Sequence, residues 1–428
     1  MRRLHQANER PLYGVADDLT RDFWSGRFNL RRTALFEQMQ AAPADKILAL
    51  IGKFRDDPRT DKIDLGPGVY KDENGDTPVM AAVRDAEQRL FQSQTSKSYV
   101  GGLGDLGFNA AISQLVFGAD LDTSRVRALQ TPGGTGALRV LCDTLKRANP
   151  KAKIWFSDPT WPNHLPIAQE AGLEIASYPY FDAQTGGLRF DAMMETLKQC
   201  GPDDIVMLHG CCHNPTGANP TAEQWQEIAA LASKNGFLPF IDFAYHGFGD
   251  GLDEDAVAVR MMLKQVPEMV VASSCSKNFG VYRERTGAAI IVGKNAERAD
   301  VVLSQMASVA RGNYSMPPDH GAAVVRIILE DPTLRQSWEE ELNAVRTRML
   351  SLRTTLADTL REKSGTDTFD FVAHHRGMFS RMPVTAEQVD RLQSEFGIYM
   401  VGDGRFNVAG LRASIIEPFA DALIAVRS

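Results

Sequence analysis

The stretch Met269-Val-Val-Ala-Ser-Ser-Cys-Ser-Lys277-Asn-Phe-Gly280 decides how the rest of the sequence is interpreted. Its short apolar run predicts a buried β-strand, which delivers one lysine into a loop of small residues. A lysine at the end of a buried strand loses hydration, which lowers its pKa and frees the amine as a nucleophile. Such an amine can bond covalently to the aldehyde of a cofactor. The alternative is a solvated surface lysine, and the other motifs decide between the two.

Length, composition and charge limit the classes of protein to which the chain can belong. With 428 residues, 43% of them hydrophobic, it can bury a large core, as one big domain and a smaller one. The net charge of -7 and the pI near 5.7 argue against nucleic acid or an anionic membrane as a main partner. No apolar run approaches the roughly 20 residues of a membrane span. The five scattered cysteines include the adjacent Cys211 and Cys212, an unfavourable disulfide pair, so we expect a reducing, cytoplasmic location.

The first 34 residues differ in character from the rest of the chain. Their arginines give a basic bias, but Glu9, Asp17, Asp18 and Asp22 interrupt it. The segment lacks the apolar core of a secretory signal and has more acidic residues than a transit peptide. We predict a poorly ordered N-terminal extension over residues 1–34 and assign it no function.

Between residues 130 and 300 short apolar runs alternate with helical stretches. One helix is marked by the capping box Thr221-Ala-Glu-Gln224 at its start and by Gly236 at its end. Strands separated by helices predict an α/β fold with a mainly parallel sheet covered on both faces. Ligands bind such sheets at the carboxyl ends of the strands. The predicted strands are Lys153 to Phe156, Asp204 to Leu208, Phe237 to Ile241, Met269 to Ala272 and Ala288 to Val292.

A change of composition after Asp331-Pro332 predicts a second, smaller α/β domain. A long charged helical stretch runs from about Leu334 to Lys363, and two short segments come after it, around Gly377-Met-Phe379 and Gly404-Arg405-Phe-Asn407. We predict that residues 35–77 and 333–428 form this smaller domain and that residues 78–332 form the large one.

Asp242 ends the apolar run Phe237-Leu-Pro-Phe-Ile-Asp242, and Tyr245 follows three residues later. A buried carboxylate at a strand end can be a metal ligand, a general base or the partner of a cationic ring nitrogen. In a pyridoxal phosphate enzyme it has the last role, because it keeps the pyridine protonated and electron-withdrawing. The ordinary alternative is an aspartate that caps the adjoining loop.

Gln130-Thr-Pro-Gly-Gly-Thr-Gly-Ala-Leu138 is a glycine-rich turn before a predicted helix, Ala137 to Arg147. Glycines let a backbone approach an anion, and a helix start supplies free N–H groups. The stretch matches neither the nucleotide-hydrolase phosphate loop nor the dinucleotide fingerprint. A phosphate cup and a simple tight turn both fit it.

His209-Gly-Cys-Cys-His213-Asn214-Pro-Thr-Gly217 suggests a zinc site by composition, but its spacing does not. Adjacent cysteines do not easily occupy two corners of one tetrahedron, and no second ligand pair follows at finger spacing. We therefore predict no metal. Asn214-Pro-Thr-Gly is better interpreted as a turn that holds an amide towards a ligand.

Together these motifs resemble the fold-type-I pyridoxal-phosphate aminotransferases, and within them the aspartate and aromatic-amino-acid aminotransferases. One such match would be weak evidence, but this many in family order is specific. The resemblance runs from about Leu35 to the C-terminus. Its motifs are Ala41-Ala-Pro-Ala-Asp45, Gly68-Val-Tyr-Lys-Asp72, Thr131-Pro-Gly-Gly-Thr-Gly-Ala-Leu-Arg139, Trp161-Pro-Asn-His164, His209 to Gly217, Asp242-Phe-Ala-Tyr245, Ser274-Cys-Ser-Lys277-Asn-Phe-Gly280, Arg285-Thr-Gly287, Asn313-Tyr-Ser315 and Gly404-Arg405-Phe-Asn-Val-Ala-Gly410.

The resemblance implies a large domain with a seven-stranded sheet and a set of cofactor-binding residues. Lys277 would carry pyridoxal 5'-phosphate covalently and shuttle a proton during the reaction. Asp242 would pair with the pyridine nitrogen, supported from behind by His164. The ring would stack on Trp161, and its hydroxyl would contact Asn214 and Tyr245. The phosphate would be bound by Gly134, Thr135, Ser274, Arg285 and, from the neighbouring subunit, Tyr99.

The resemblance also implies how substrates bind. Arg405 and Gly68, beside Trp161 and Asn214, would bind the α-carboxylate, because a guanidinium pairs with a carboxylate through two charge-assisted hydrogen bonds. Arg311, expected from the other subunit, would bind the side-chain carboxylate of 2-oxoglutarate or glutamate. A site shared in this way implies an obligate homodimer.

The identity of the amino donor depends on a few pocket positions. Where the aspartate-type enzymes carry asparagine, this chain has Ser98 and Met316, which make the pocket mouth less polar or roomier and favour an aromatic side chain. Val69, Lys71 and Thr77 match the aspartate type instead. We predict a ping-pong enzyme that uses tyrosine, phenylalanine and tryptophan, with appreciable aspartate activity. Aspartate aminotransferase is the alternative.

Other classes of protein fit the sequence less well. A nicotinamide dehydrogenase would share the parallel sheet but needs a dinucleotide glycine signature, and a regulator built on this fold needs a DNA-binding appendage. A decarboxylase with the same cofactor is disfavoured by the two carboxylate-binding arginines, because decarboxylation gains nothing from binding the group that leaves.

Overall fold

The computed structural model describes residues 35–41, 46–118 and 122–427. It divides the chain into two units, one up to Asp45 and one from Lys46 onward. The first unit contains the 3-10 turn Leu35–Gln38. The predicted N-terminal extension, residues 1–34, lies outside the described residues, and so does most of the motif that begins at Ala41. The second unit contains all the strands and α-helices of the described residues.

The second unit alternates strands and helices, as the sequence predicts. Its strands are β1 (Ile63–Asp64), β2 (Val126–Pro132), β3 (Lys153–Asp158), β4 (Glu174–Pro179), β5 (Asp204–His209), β6 (Leu238–Phe243), β7 (Met269–Ser274), β8 (Thr286–Val292), β9 (Phe379–Arg381), β10 (Ile398–Tyr399) and β11 (Arg405–Asn407). Its helices are α1 (Lys46–Asp56), α2 (Ala81–Ser93), α3 (Leu106–Phe117), α4 (Gly133–Ala148), α5 (His164–Glu170), α6 (Phe190–Leu197), α7 (Ala222–Asn235), α8 (Leu252–Gln265), α9 (Ala296–Asn313), α10 (His320–Glu330), α11 (Pro332–Ser364), α12 (Phe371–His374), α13 (Ala386–Phe396) and α14 (Ala413–Arg427). Among the described helices, none combines the length and apolarity that a membrane crossing requires.

The central sheet has seven strands in the order β2-β8-β7-β6-β5-β3-β4. The pairs from β4 through β3, β5 and β6 to β7 are parallel, and β8 runs antiparallel to both of its neighbours. Every residue of β7 and β8 is buried, which explains their continuous apolar sequences. The fold class predicted from the sequence, α/β with a mainly parallel seven-stranded sheet, is confirmed.

Five of the strands lie where apolar runs predicted them, each extending one or two residues further at one end, and β6 begins at Leu238 rather than at Phe237. The capping box of Thr221 and Gln224 is present, and Gly236 closes α7 in the left-handed conformation. The helix after the glycine-rich turn begins at Gly133 rather than at Ala137. The difference arises because the glycines themselves form the first helical turn, although their helix propensity is low. β2 and β4 were not among the predicted strands.

A second hydrophobic core lies apart from the core of the seven-stranded sheet. It joins Ile63 and Leu65 to buried residues between Leu352 and Val426. Two small sheets accompany it, β1 parallel to β10 and β9 antiparallel to β11. This separate core supports the predicted division into a large and a small domain, whose boundaries stay a prediction.

The long helix α11 anchors the loop that carries Lys277. The indole Nε1–H of Trp338 donates to the backbone carbonyl of Asn278 at 2.7 Å, and its ring stacks on Phe279 with 4.3 Å between centroids. Trp338 is fully buried. The residue directly after Lys277 is therefore fixed by a side chain sixty positions further along the chain.

Trp338→Phe should lower the free energy of unfolding by about 1–3 kcal/mol, because it removes the donor of a buried hydrogen bond. The measurement is the midpoint of denaturant unfolding. Trp225→Phe is the matched control, since Trp225 is buried in the same core and donates no hydrogen bond to any described residue. Equal midpoint shifts in the two variants would contradict the anchoring role of Trp338.

Candidate active site

A cleft of about 260 Å³ lies at the carboxyl edge of the central sheet. Neighbouring strands end together there: His209 at the end of β5 is in register with Asp242 of β6. The cleft collects eleven of the thirteen predicted site residues: Gly68, Gly134, Thr135, Trp161, Asn214, Asp242, Tyr245, Ser274, Lys277, Arg285 and Arg405. A larger surface cavity of about 920 Å³ includes none of these residues and is lined largely by charged side chains.

Lys277 lies in the cleft beyond the end of the fully buried strand β7. Burial, aided by the nearby Arg285 charge and opposed by the Asp242 carboxylate, lowers the pKa of its amine to about 8. Its Nζ is 4.4 Å from the centroid of the Tyr245 ring. No carboxylate of the described residues forms an ion pair with it. The fraction of this amine that is neutral, and so nucleophilic, near neutral pH is therefore larger than for a solvated lysine.

Asp242 is a buried carboxylate held by a chain of hydrogen bonds. His164 Nε2 donates to its Oδ2 at 3.0 Å, and the Thr160 hydroxyl lies 2.9 Å from His164 Nδ1 and 3.4 Å from His209 Nε2. Burial raises the pKa of Asp242, but the hydrogen bond from His164 and the electrostatic effect of the same residue outweigh burial, so the pKa lies below its ordinary value. Asp242 is thus a fixed negative charge facing the cleft.

The start of α4 forms an anion cradle. No side chain caps this helix, so the N–H groups of its first turn are free to bind a ligand. Gly133 has φ of +72°, and a Cβ there would approach Arg285 Nη2 to 2.6 Å. A Cβ on Gly134 would contact the Ser274 side chain at 3.0 Å. These two positions need glycine because the backbone passes close to the Ser274 side chain and the Arg285 guanidinium. A backbone, a hydroxyl and a guanidinium that meet at a helix start suit a phosphate.

Arg405 provides a second positive charge, and it is only 4% exposed. Its Nη2 donates to the carbonyl of Gly66 at 3.0 Å, and its guanidinium lies 4.5 Å from the Phe379 ring centroid. Its Nε has no hydrogen-bond partner among the described residues, and no described carboxylate pairs with it. Burial lowers its pKa. A buried guanidinium without a counter-ion is suited to binding an anionic ligand.

Asn214 and Tyr245 present further polar atoms to the cleft. Asn214 Nδ2 donates to the Tyr245 hydroxyl at 3.4 Å, whereas the buried Asn214 Oδ1 has no partner among the described residues. Burial raises the pKa of Tyr245, which is therefore protonated. Trp161 lines the cleft beside His164. An unsatisfied amide in a cleft indicates that a ligand completes its hydrogen bonds.

The family model described as aminotransferase class I and II matches residues 60–423. The chain belongs to this family. It is 52% identical to an aromatic-amino-acid aminotransferase of Paracoccus denitrificans over 89% of this chain and 97% of that protein. It is 47% identical to the aspartate aminotransferase of Escherichia coli strain K12 over 92% of this chain and 100% of that protein.

Solved structures of aminotransferases have the same fold. An aromatic amino acid aminotransferase with 3-indolebutyric acid superposes with a TM-score of 0.90 and 50% identity, covering 92% of this chain and 100% of that chain. The aromatic-amino-acid aminotransferase of Burkholderia pseudomallei covalently bound to pyridoxal phosphate has a TM-score of 0.90 and 41% identity, with the same coverage. The chain is an aminotransferase of a pyridoxal-phosphate-dependent family, as the sequence predicts.

The cleft of this aminotransferase fits pyridoxal phosphate on its own geometry. The uncapped glycine-rich start of α4 and Arg285 suit a phosphate. The ionised Asp242 suits a protonated ring nitrogen, and the unsatisfied Asn214 amide suits a ring substituent. Lys277, weakly basic and unpaired in the described part of the chain, suits a bond to the aldehyde. Each functional group of the cofactor therefore has a matching group in the cleft.

Tyr99 and Arg311 do not line the cleft of their own chain. Tyr99 is 90% exposed. Arg311, in the last turn of α9, is exposed and donates to Ser315 Oγ at 2.5 Å. The two segments adjoin, because the backbone N–H of Val100 donates to the Met316 sulfur at 3.2 Å. The sequence predicts both residues in a neighbouring subunit's site, and that assignment stays a prediction.

Sequence reasoning missed several residues of the site. Phe379, Tyr282 and Ser276 line the cleft, and Thr160 links the two histidines behind Asp242. Phe379 and Tyr282 carry no charge or motif of their own, and Thr160 directly precedes the Trp161 motif. His209 belongs to the Asp242 chain, and burial lowers its pKa to about 3, so it is neutral there.

Cys211, Cys212 and Asp255 bring three possible ligand atoms within 4.8 Å of one another. Burial raises the pKa of both thiols, whereas a zinc site needs thiolates. The Asp255 carboxylate already accepts backbone N–H bonds from Gly247, Gly249 and Asp250. These features are those of buried structural groups, and the absence of a metal stays a prediction.

The amine of Lys277 in the cofactor-free protein should acylate with a pH midpoint near 8, because its pKa is lowered to about 8. Asp242→Asn should move the midpoint lower still, because the carboxylate opposes the shift. The measurement is competitive acetylation between about pH 6 and pH 11, read by mass spectrometry of peptides. Surface lysines of the same digest are the internal reference. A Lys277 midpoint equal to theirs would contradict the buried, weakly basic amine.

Proposed function

We propose that the enzyme transaminates aromatic amino acids with 2-oxoglutarate, giving the aromatic 2-oxo acid and glutamate by a ping-pong mechanism. Phenylalanine, tyrosine and tryptophan are the donors, with aspartate as a further donor. The observation that carries the proposal is the convergence of Lys277, Asp242 and Arg405 on one cleft. They offer a weakly basic amine, a fixed anion and a counter-ion-free guanidinium, which are the groups needed for an aldehyde cofactor and a carboxylate substrate.

We assign the cofactor-binding roles as the motifs imply. Lys277 holds pyridoxal phosphate covalently, and Asp242, supported by His164, pairs with its ring nitrogen. Asn214 and Tyr245 bind the ring hydroxyl, and Trp161 stacks on the ring. Gly134, Thr135, Ser274 and Arg285 bind the phosphate, joined by Tyr99 of a second subunit. The uncapped first turn of α4 supports the phosphate assignment.

Bound pyridoxal phosphate supplies an electron-withdrawing ring that accepts the electron pair released at the substrate's α carbon. Asp242 keeps that ring cationic, because its own pKa is held low and it cannot take the proton. Once its amine is free, Lys277 removes the proton from the substrate's α carbon and then donates this proton to a different atom. A pKa of about 8 suits this task, because a general base acts best near the pH at which it operates.

Arg405 binds the α-carboxylate, with Gly68, Trp161 and Asn214 beside it. Its burial makes the ion pair with an incoming carboxylate strong, because little solvent screens it. The guanidinium is held by Gly66 and stacked on Phe379, so it is oriented before substrate arrives. Binding through the carboxylate leaves that group on the substrate, as transamination requires.

We infer a homodimer in which each cleft is completed by Arg311 and Tyr99 of the neighbouring subunit. Both side chains are exposed outside their own cleft, and they lie on adjoining segments. In the dimer Arg311 binds the distal carboxylate of 2-oxoglutarate. We also place the enzyme in the cytoplasm; its five buried, unpaired cysteines suit a reducing compartment.

The preference for aromatic donors rests on Ser98 and Met316. Met316 packs against the segment that contains Ser98, since its sulfur accepts the Val100 N–H. Neither residue presents an amide that an apolar side chain would leave unpaired. Because an unpaired buried amide costs about 1–3 kcal/mol, the two positions together favour aromatic donors by about one to two orders of magnitude.

Aspartate aminotransferase is the second candidate, and it is supported by Val69, Lys71 and Thr77 and by the Escherichia coli relative. The structure weakens the contribution of two of these residues. Lys71 Nζ pairs with Asp64 at 3.2 Å, and the Thr77 hydroxyl donates to the Tyr70 carbonyl at 2.8 Å. The polar groups of Lys71 and Thr77 already bind other groups of the chain, so they do not favour a polar substrate.

The specificity constants of phenylalanine and tyrosine with 2-oxoglutarate should equal or exceed that of aspartate, because Ser98 and Met316, on the segments that we place at the neighbouring subunit's cleft, present no amide there. The measurement is the amino-donor profile of the purified enzyme. An aspartate constant ahead by about a hundredfold would instead establish the second candidate.

Arg311→Ala tests the shared site through the affinities of the amino donors, measured without a 2-oxo acid. It should weaken aspartate binding far more than phenylalanine binding, because only aspartate of these two donors carries a distal carboxylate. Arg298→Ala, an exposed arginine in the first turn of the same helix, is the matched control. Equal losses of affinity for aspartate and phenylalanine would contradict the role given to Arg311.

A further inference from the structure

Asn407 is a buried side chain whose hydrogen-bonding groups are all engaged. It ends β11, two residues after Arg405, and is 1% exposed. Its Nδ2 donates to the carbonyls of Pro67 and Val69, both at 2.7 Å, and its Oδ1 accepts the N–H of Ala409 at 3.0 Å. An amide has two N–H donors and one carbonyl, so Asn407 has no donor left for a ligand. It does not line the cleft.

The segment that Asn407 holds contains Gly68, which does line the cleft. The two carbonyls that Asn407 binds flank Gly68 on either side. Further bonds join the same two segments: Asn407 N donates to Leu65 O at 2.8 Å, and Lys71 N donates to Ala409 O at 2.9 Å. The N–H of Gly68 itself donates to no described residue. Asn407 thus fixes the peptide of Gly68 while leaving its donor free.

Phe379 prevents the two segments from adjusting independently. It is in register with Asn407 in the β9–β11 pair, and its ring faces the Arg405 guanidinium at 4.5 Å. A Cβ on Gly68 would approach the Phe379 ring to 2.9 Å. Gly68, Phe379 and Arg405 are therefore packed without spare room. A shift of the Gly68 segment changes its distance from the guanidinium directly.

We propose that Asn407 is a positioning residue for the α-carboxylate site. It sets the distance between the Gly68 peptide and the Arg405 guanidinium, so that both reach the same carboxylate. The inference rests on the proposed function, in which Arg405 and Gly68 bind that group. Asn407 makes no contact with substrate and acts only through these two residues.

If Asn407 positions the α-carboxylate site, its variants should lose ligand affinity in a pattern that a general loss of stability does not produce. Every amino donor and acceptor carries the carboxylate beside its reacting carbon. Asn407 variants should therefore lose phenylalanine and aspartate affinity equally, and the ratio between these donors should not change. A ligand without a carboxylate should bind as before.

The experiment compares two probes on the cofactor-loaded enzyme, 3-indolepropionate and its uncharged amide, by calorimetric titration. Asn407→Ala removes two hydrogen bonds that hold the Gly68 segment and should weaken 3-indolepropionate binding by about 10- to 100-fold. Binding of the amide should change by less than about twofold. Asn407→Ser keeps one hydroxyl donor, so its loss of 3-indolepropionate affinity should be intermediate. This variant also tests the positioning role if the alanine variant does not fold.

Asn235→Ala is the matched control. Asn235 Nδ2 also bridges two backbone carbonyls, those of Lys198 and Cys200, at 3.1 and 3.2 Å. It ends α7, at the opposite end of β6 from Asp242. Its replacement should lower stability without changing the affinity for either probe.

Two results would overturn the inference: unchanged 3-indolepropionate affinity in a folded Asn407 variant, or equal losses for the acid and the amide. Cofactor absorbance, measured in every variant, shows whether the cofactor site is intact. If the wild-type enzyme binds neither the acid nor an amino acid, the proposed function fails and the inference fails with it. Wild-type binding combined with no selective loss in the variants refutes the inference alone.

Discussion

The presence of a buried carboxylate and a buried amine in one cleft is the constraint on which the site depends. Asp242 stays ionised because His164 donates to it, and the lysine amine nearby is driven towards neutrality by its loss of water. Desolvation alone would neutralise both groups, since it raises the pKa of an acid and lowers that of a base. The hydrogen bond that Asp242 accepts from His164 opposes this effect for the carboxylate alone. It leaves one fixed charge and one reactive amine in the same cleft.

The sheet brings the remaining groups to that pair. β5, β6 and β7 are parallel and end at one edge, so residues far apart in the sequence meet there. The antiparallel β8 begins at the same edge, next to Arg285. On the other side of the cleft, the small sheet of β9 and β11 carries Phe379 and Arg405. The groups that we assign to the cofactor therefore lie on and around the large sheet, and Arg405, which we assign to the substrate carboxylate, lies on the small sheet.

Much of this could be predicted from the sequence, because buried parallel strands are nearly continuous apolar runs and polar residues come directly after each run. β6 and β7, with Asp242 and Lys277, are examples. β2 and β4 were not predicted because polar residues interrupt their apolar sequences, and most of β4 is only partly buried. Phe379 and Asn407 could not be assigned roles, since each acts through contacts with segments hundreds of positions away. Tyr99 and Arg311 lie outside the cleft of their own chain, and the roles predicted for them depend on the proposed homodimer.

The most direct test of the account is to treat the purified enzyme with borohydride and to locate the cofactor by peptide mass spectrometry. The account predicts the mass of reduced pyridoxal phosphate on the peptide that contains Lys277. It also predicts that prior addition of phenylalanine, without any 2-oxo acid, prevents this labelling, because the amino group is transferred and the lysine is released. Cofactor found on another lysine, or labelling of Lys277 that phenylalanine does not change, would contradict it.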